Sequence, residues 1–228
     1  PPRTDLSIAE NFFHMCFGKV PSKPVVKAFD VSLILYAEHS FNASTFASRV
    51  ITSTRSDIYS AVVGGIGALK GPLHGGANEA VMEMMKKIRT PKNAESWIRR
   101  AMLNKELSMG FGHRVYKNGD SRVPTMKKCL EDLTQWSGED KWLGIYNILT
   151  DIFINEKGIY PNLDFPSGPA YYLMGFPINL YTPIFVMARV AGWSAHFIEQ
   201  NANNSLIRPL SSYTGKSQRK VKKKSERK

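Results

Sequence analysis

The chain has 228 residues, of which 43% are hydrophobic, and it carries a formal net charge of +12 at pH 7. This length allows one sizeable domain or two modest ones, and the two isolated cysteines, Cys16 and Cys129, argue against a disulfide framework or a zinc site. The longest apolar region, residues 182–198, contains Arg189 and His196, which argues against a membrane span.

The pattern along the chain is helical. Apolar residues recur at three-and-four spacing, and Gly or Pro residues mark most of the interruptions. Strand signals are weak and limited to residues 109–111 and 159–160, so the sequence predicts an all-α fold. The predicted helices are Ser7–Phe17, Val25–His39, Ala43–Thr52, Asp57–Leu69, Asn78–Ile88, Asn93–Asn104, Val123–Trp136, Lys141–Glu156, Ser167–Met174 and Thr182–Asn201.

Small residues in the segment Asp57–Leu69 predict close helix packing. Ser60, Gly64 and Ala68 lie on one helical period there, so a neighbouring helix, of this chain or of another subunit, is expected to approach closely.

The positive charge is concentrated at the C-terminus. The segment Lys216–Lys228 contains eight Lys or Arg and one Glu, so it carries +7 of the total charge. A block of like charge predicts a disordered tail. No aromatic residue lies among these lysines to stack on bases, so a nucleic-acid partner is not expected.

Three short segments each place one acid–base residue beside turn-forming glycines. They are Gly-Pro-Leu-His74-Gly-Gly-Ala-Asn, Gly-Phe-Gly-His113-Arg-Val-Tyr and Tyr-Pro-Asn-Leu-Asp164-Phe-Pro-Ser-Gly. Two histidines and a carboxylate that converge in one cleft suit proton abstraction next to a carbonyl, which requires a base and proton donors. Each residue alone is equally compatible with a helix cap or a core position. The glycine turns match neither the dinucleotide-binding fingerprint nor the P-loop.

Arginines in apolar surroundings suggest an anionic ligand. Arg189 lies in Phe-Val-Met-Ala-Arg-Val-Ala-Gly-Trp, and Glu199 falls on nearly the opposite flank of the same helix. A buried guanidinium requires an anionic partner, and a carboxylate ligand fits its fork. Arg122 and Arg208 are further candidates, although each is also compatible with a surface salt bridge. His39 is either a ligand residue or a helix C-terminal contact, whereas His14 and His196 are expected to be structural.

The chain resembles the citrate synthase family from its start to about Gly215. The resemblance rests on the motifs around His74 and His113, on Ala-Glu-His39-Ser-Phe-Asn-Ala-Ser-Thr-Phe, on Asn-Leu-Asp164-Phe and on Ile-Arg208-Pro. The segments Asp-Phe-Pro-Ser-Gly-Pro-Ala-Tyr-Tyr-Leu-Met-Gly and Gly-Asp-Ser-Arg-Val-Pro most resemble bacterial 2-methylcitrate synthases, which use propionyl-CoA and commonly retain citrate synthase activity.

The resemblance implies a role for each site residue. Asp164 would take the α-proton of propionyl-CoA or acetyl-CoA, His74 would stabilise the enol, and His113 would polarise the ketone of oxaloacetate. A second group would hold the oxaloacetate carboxylates: His39, Arg122, Arg189 and Arg208. A third group would contact CoA: Gly110, Phe111, Gly112, Lys117 and Asn162.

The resemblance also implies an architecture and partners. A small helical domain, residues 78–180, would close on a large domain formed by residues 1–77 and 181–215, and residues 216–228 would form the tail. Part of the large domain is expected upstream of Pro1. A cytoplasmic homodimer is expected, with Arg208 reaching the partner's site and with no metal, cofactor or membrane.

Three alternatives remain at this stage. The chain could be an inactive or scaffold fragment of the family, or principally a citrate synthase of the tricarboxylic acid cycle. A lyase that cleaves citryl-CoA is the third, although it would need nucleotide-binding domains.

Overall fold

The computed structural model describes residues 1–113 and 115–226, and within them the chain is helical with a single isolated β-bridge, between Phe111 and Pro161. The predicted all-α fold is therefore confirmed. Short 3₁₀ turns occupy Ile178–Leu180 and Lys224–Glu226. The α-helices are α1 (Ile8–Phe17), α2 (Lys23–Ala37), α3 (Ala43–Ser53), α4 (Ile58–Leu69), α5 (Ala77–Ile88), α6 (Pro91–Leu103), α7 (Val123–Ser137), α8 (Lys141–Lys157), α9 (Asp164–Leu173) and α10 (Tyr181–Ala202).

Every predicted helix end except the start of α9 falls within two residues of the observed one, and two of the differences bear on the site. Helix α2 ends at Ala37 rather than at His39, because Glu38 is extended (φ −148°, ψ 147°) and Ser40 is left-handed (φ 49°). Helix α9 begins at Asp164, three residues before the predicted start. Pro166 falls in its first turn, where the missing N–H leaves no intrahelical hydrogen bond unmade. His39 therefore lies in a turn, and Asp164 is the first residue of a helix.

The long helix α10, near the C-terminus, packs against α2, α3 and α4 from the first third of the chain. The predicted close approach at α4 is confirmed within the chain. A Cβ atom on Gly65 would lie 2.8 Å from both Ser48 Oγ and the Trp193 ring, so only glycine allows this contact. The opposite face of α4 is exposed and apolar, with Tyr59 80% and Val63 66% accessible to solvent.

A second group of helices, α5, α7, α8 and α9, surrounds the buried side chains Val81, Met126, Leu149 and Phe165. Between α6 and α7, the described residues of the segment 104–122 form no helix, and Gly110 lies against this group of helices. A Cβ on Gly110 would be 2.7 Å from Val81 Cγ2, and its φ is +85°. This contact places the following residues beside the start of α9.

The C-terminal segment leaves the helical body after α10. Asn204 donates a hydrogen bond to the carbonyl of Ser53 (2.9 Å), and residues 208–225 are exposed throughout. The last two residues of the predicted tail lie outside the described residues. In the part of the chain that the structure describes, no helix is both long and apolar enough to cross a membrane. The domain division at residues 77 and 180 stays a prediction.

Candidate active site

A cavity of ≈ 330 Å³ opens between α2, α10, the start of α9 and the segment 107–113. Ten of the twelve predicted site residues line it: His39, His74, Gly110, Phe111, Gly112, His113, Arg122, Asn162, Asp164 and Arg189. Lys117 and Arg208 do not line it, and both side chains are exposed. Residues that are up to 150 positions apart in sequence therefore meet around one space.

Asp164 is held at the cavity wall by one strong hydrogen bond. The buried hydroxyl of Tyr36 donates to its Oδ1 at 2.6 Å. Burial raises the pKa of Asp164 to about 6, although the Tyr36 hydrogen bond and the charge of Arg122 act in the opposite direction. The carboxylate is thus ionised at pH 7, but it is a far stronger base than an exposed aspartate.

His74 is fixed through one nitrogen of its ring. Its Nε2 lies 2.9 Å from Ser44 Oγ and 3.2 Å from Asn42 Oδ1, and the ring packs edge-on against Phe185. Burial and then the charge of Arg189 lower its pKa to about 4, so the ring is neutral at pH 7. The Ser44 hydroxyl donates to Asn42 Oδ1 (2.7 Å), and that oxygen can only accept, so in this arrangement the proton of the neutral ring lies on Nε2. Nδ1 gains the proton, and becomes a donor for a ligand, when the Ser44 hydroxyl turns from Asn42 to Nε2.

His113 has a tautomer that the backbone determines. Its Nδ1 accepts from the N–H groups of Val115 (3.1 Å) and Tyr116 (3.3 Å), so the proton of the neutral ring lies on Nε2. Burial is the main cause of a lowered pKa for this ring. His113 therefore presents a neutral N–H donor.

His39 packs beside His113, with the two ring centroids 5.1 Å apart and the planes nearly perpendicular. Its Nε2 lies 3.0 Å from the hydroxyl of Tyr116. Burial, followed by the nearby charge of Arg122, lowers its pKa to about 4. Three neutral imidazoles therefore surround the space in front of Asp164.

Arg122 reaches the cavity as a member of a buried ion pair. Its Nε and Nη2 donate to the two carboxylate oxygens of Asp120 at 3.0 and 2.7 Å. Asp120 is 3% exposed and also accepts from the N–H of Leu163 (3.2 Å). The pair neutralises most of the Arg122 charge, and it ties the segment 119–122 to the start of α9.

Of the two arginines described in the cavity wall, Arg189 is the one that lacks a carboxylate partner. It is 1% exposed, its Nε donates to the carbonyl of Tyr36 (2.7 Å), and its guanidinium lies 4.8 Å from the centre of the Phe185 ring. Its buried Nη1 has no hydrogen-bond partner. Burial lowers its pKa to about 10, so it is charged at pH 7. An unpaired buried guanidinium of this kind is an anion-binding group.

The segment 110–112 is anchored by Asn162. The N–H of Asn162 donates to Gly110 O (2.9 Å), its Nδ2 donates to Gly112 O (3.0 Å), and its Oδ1 accepts from the N–H of Asp164 (3.1 Å). The N–H of Gly112 is likewise used, by Tyr160 O at 2.8 Å. These polar groups bind other protein groups, so the structure gives Asn162 a positioning role and leaves its CoA contact a prediction.

Sequence reasoning did not single out four functional residues of this site: Tyr36, Asn42, Ser44 and Asp120. Tyr36 sits three residues before His39, and Asp120 sits two before Arg122, so proximity to a predicted site residue was their only signal. Asn42 and Ser44 fall inside the motif that contains His39. The contacts of Tyr36 with Asp164 and of Asn42 and Ser44 with His74 depend on tertiary structure, because these partners are distant in sequence. Asp120 combines a local contact with Arg122, two residues away, and a distant one with the N–H of Leu163.

Comparison with known proteins agrees with this geometry. The sequence model of the family described as citrate synthase, C-terminal domain, matches residues 1–210. The chain is 62% identical over 218 residues to the 2-methylcitrate synthase of Mycobacterium tuberculosis, covering 96% of this chain and 56% of that protein. It is 60% identical over 221 residues to the citrate synthase of Mycolicibacterium smegmatis, covering 97% of this chain and 59% of that protein.

Among solved structures, the chain is similar to the citrate synthase of Thermoplasma acidophilum, which was solved as a ternary complex with carboxymethyl coenzyme A and oxaloacetate. The TM-score is 0.92 at 42% identity, and the match covers 99% of this chain and 61% of that one. The chain therefore spans less than two thirds of the length of these proteins.

Proposed function

This chain belongs to the citrate synthase family, and from that premise we propose that its cavity condenses an acyl-CoA thioester with oxaloacetate. Water then hydrolyses the adduct, giving CoA and either 2-methylcitrate, from propionyl-CoA, or citrate, from acetyl-CoA. The observation that carries the proposal is the ionised Asp164 facing the same space as the neutral imidazoles of His74 and His113. The acyl-CoA is a substrate, and the proposal includes no cofactor.

Asp164 is the base of the first step. Its Oδ1 accepts from Tyr36, so Oδ2 is the oxygen left to take the α-proton of the thioester. A pKa of about 6 keeps the carboxylate ionised at pH 7 while bringing its basicity closer to that of the weakly acidic substrate. Proton transfer is further assisted if the enol oxygen is stabilised at the same time.

His74 provides that stabilisation. Once the Ser44 hydroxyl turns from Asn42 Oδ1 to donate to Nε2, the ring proton lies on Nδ1, and the Nδ1–H donates to the thioester oxygen as negative charge develops there. A preorganised donor at such a position contributes about 3–4 kcal/mol, by analogy with an oxyanion hole. The low pKa of His74 has a cost, because a neutral ring donates more weakly than an imidazolium, but it keeps the donor independent of pH near neutrality.

His113 activates the second substrate. Its Nε2–H donates to the ketone oxygen of oxaloacetate, which makes the carbonyl carbon more electrophilic toward the enol. Arg189 pairs with one carboxylate through its unpartnered Nη1, and His39 and Arg122 line the same side. The CoA portion lies along residues 110–112 and 162, with exposed Lys117 as a cation for its phosphates.

A homodimer is part of the proposal. The exposed apolar face of α4, with Tyr59 and Val63, is suited to pack against a second copy. Arg208 does not line the cavity of its own chain and lies on an exposed segment beyond α10, as a residue that reaches the partner's cavity would.

Mixing two inactive variants tests that arrangement. Asp164→Asn removes the base of one chain, and Arg208→Ala removes the arginine given to the partner. In a mixed dimer, the chain with Arg208→Ala keeps Asp164 and receives an intact Arg208, so one of the two cavities is complete. Activity that appears only after subunit exchange supports the dimer, and its absence in verified mixed dimers contradicts it.

The activity itself is tested by CoA release. Propionyl-CoA or acetyl-CoA is supplied with oxaloacetate, and the two kcat/KM values decide which acyl group is preferred. Asp164→Asn is the matched variant, since it removes the base and keeps the shape of the side chain. We expect it to lose turnover while oxaloacetate binding, measured by calorimetry, persists. Absence of turnover in a dimeric wild-type preparation refutes the proposed function.

A further inference from the structure

The turn between α2 and α3, residues 38–42, has two chemically different sides. His39 and Asn42 line the cavity. Glu38 and Phe41 contact α10 and α3 instead: Glu38 Oε1 lies 3.1 Å from His196 Nε2, and the Phe41 ring lies edge-on to His196 at 5.5 Å. His196 does not line the cavity, yet it touches both of the side chains on the outer side of the turn.

Three residues on one stripe of α10 contact three consecutive residues at the end of α2, which are Tyr36, Ala37 and Glu38, and His196 is the last of the three. Arg189 donates to the carbonyl of Tyr36. Gly192, one turn later, packs so closely that a Cβ there would lie 2.4 Å from the carbonyl oxygen of Ala37. His196, a further turn along, contacts Glu38. The spacing of three and four residues places all three on one side of the helix.

Arg49 of α3 determines the tautomer of His196. Its Nη1 lies 2.9 Å from His196 Nδ1, and a guanidinium is a donor only, so Nδ1 is an acceptor and carries no proton. The proton of the neutral ring is then on Nε2, where it donates to Glu38. Arg49 is itself fixed by Glu199 Oε2 (2.5 Å) and by stacking over Phe41 (4.9 Å).

We propose that His196 is a positioning residue of the active site, which orients His39 toward the cavity by holding Glu38 through a hydrogen bond whose direction Arg49 determines. The turn needs such support because Ser40 is in the left-handed region (φ 49°), a conformation that a serine rarely adopts unaided. The expected effect on oxaloacetate binding rests on the proposed function, whereas the orientation of His39 does not.

The test uses His196→Leu, which removes both ring nitrogens and keeps an apolar side chain of similar bulk. In NMR spectra that correlate ring nitrogens with ring protons, we expect the His39 signals to shift and the His74 signals to stay. In the assay, the KM for oxaloacetate rises about tenfold, the effect of losing one hydrogen bond to a charged group, while kcat changes much less. His196→Gln is the conservative variant. Its amide also accepts from Arg49 and donates to Glu38, so it restores most of the affinity.

Glu199→Gln is the matched control, because Glu199 contacts Arg49 and lies 3.7 Å from His196 Nδ1, on the side of the ring away from Glu38, and is 70% exposed. It should leave the His39 signals in place. A double-mutant cycle adds a second criterion: if His196 acts through Glu38, the combined Glu38→Ala and His196→Leu variant is no worse than either single variant. Additive losses overturn the proposal, as do unchanged His39 signals in a cooperatively folded His196→Leu protein. If the wild type fails to bind oxaloacetate, the proposed function falls, and the His39 signals still decide the positioning role.

Discussion

Replacing Tyr36 by Phe removes one hydroxyl and leaves the surrounding packing nearly unchanged. Tyr36 is 1% exposed, its ring stacks on Tyr171 and packs at a tilt against Phe185, and its hydroxyl donates to Asp164 Oδ1 at 2.6 Å. The variant therefore perturbs the base of the proposed reaction through a single hydrogen bond.

The direction and size of the effect follow from that contact. Burial holds the pKa of Asp164 at about 6, and the Tyr36 hydrogen bond opposes the rise because it stabilises the ionised form. A hydrogen bond to a charged group is worth about 1.5–3 kcal/mol, and one pKa unit corresponds to about 1.4 kcal/mol. Losing the bond should raise the pKa of Asp164 by about 1–2 units, to between about 7 and 8.

The pH profile of kcat/KM measures this change, because its acidic limb reports the pKa of the base in the free enzyme. We expect the limb to move from about pH 6 to about pH 7–8 in Tyr36→Phe, so that activity at pH 7 falls and partly recovers at pH 9. Tyr171→Phe is the matched control, since it loses a buried hydroxyl that contacts Ser32 rather than Asp164. An acidic limb that stays in place, with a loss independent of pH, refutes the reasoning.

Three further predictions concern stability, measured by denaturant unfolding. Because the folded pKa of Asp164 is raised from 3.8 to about 6, the fold loses stability as pH rises from about 4 to about 6, and the loss is complete above that range. Asp164→Asn should therefore add about 3 kcal/mol at pH 7.5 and little at pH 4, and equal effects would contradict this. The folded pKa of His74 is lowered to about 4, so the stability that its neutral ring contributes is complete above pH 6.5 and is lost as pH falls to 4. His74→Gln should reduce this loss of stability in acid by about 1–2 kcal/mol, after allowance for the partial exposure of the ring, and an unchanged acid dependence would contradict it. Gly110→Ala should cost about 1–3 kcal/mol more than Gly112→Ala, because both have positive φ but only Gly110 would place its Cβ within 3 Å of neighbouring side chains.

The helices were predictable because their determinants are local. Apolar spacing, capping residues and the small residues of α4 identified nearly every helix to within a few residues. The end of α2 was not predictable, since Glu38 lies outside the helix and contacts His196, which is 158 residues away in sequence. The early start of α9 was missed because Pro166 reads as a break, although a proline is well tolerated in a first turn.

The membership of the site was predictable to a larger extent than its electrostatics. Ten of the predicted residues line one cavity. They could be identified in the sequence because short distinctive motifs surround most of them. Sequence could not show that Tyr36 donates to Asp164, or that Asp120 neutralises Arg122. The first contact depends on where the start of α9 lies against α2, 128 residues away in sequence, and no periodicity encodes that. The second is local, but the burial of Asp120 that makes it matter depends on tertiary packing.

These pairings determine how much negative charge the cavity accepts on its own. Oxaloacetate brings two carboxylates, and ionised Asp164 adds a third negative charge. Among the cavity residues that the structure describes, the Arg122 charge is largely balanced by Asp120, the three imidazoles are neutral at pH 7, and Arg189 is left as one uncompensated cation. One cation facing a dianion and a carboxylate in a half-buried space leaves a deficit, and unpaired buried charge is strongly unfavourable. A further cation from outside the cavity halves this deficit, and this is the electrostatic reason to expect Arg208 from a second subunit in the completed site.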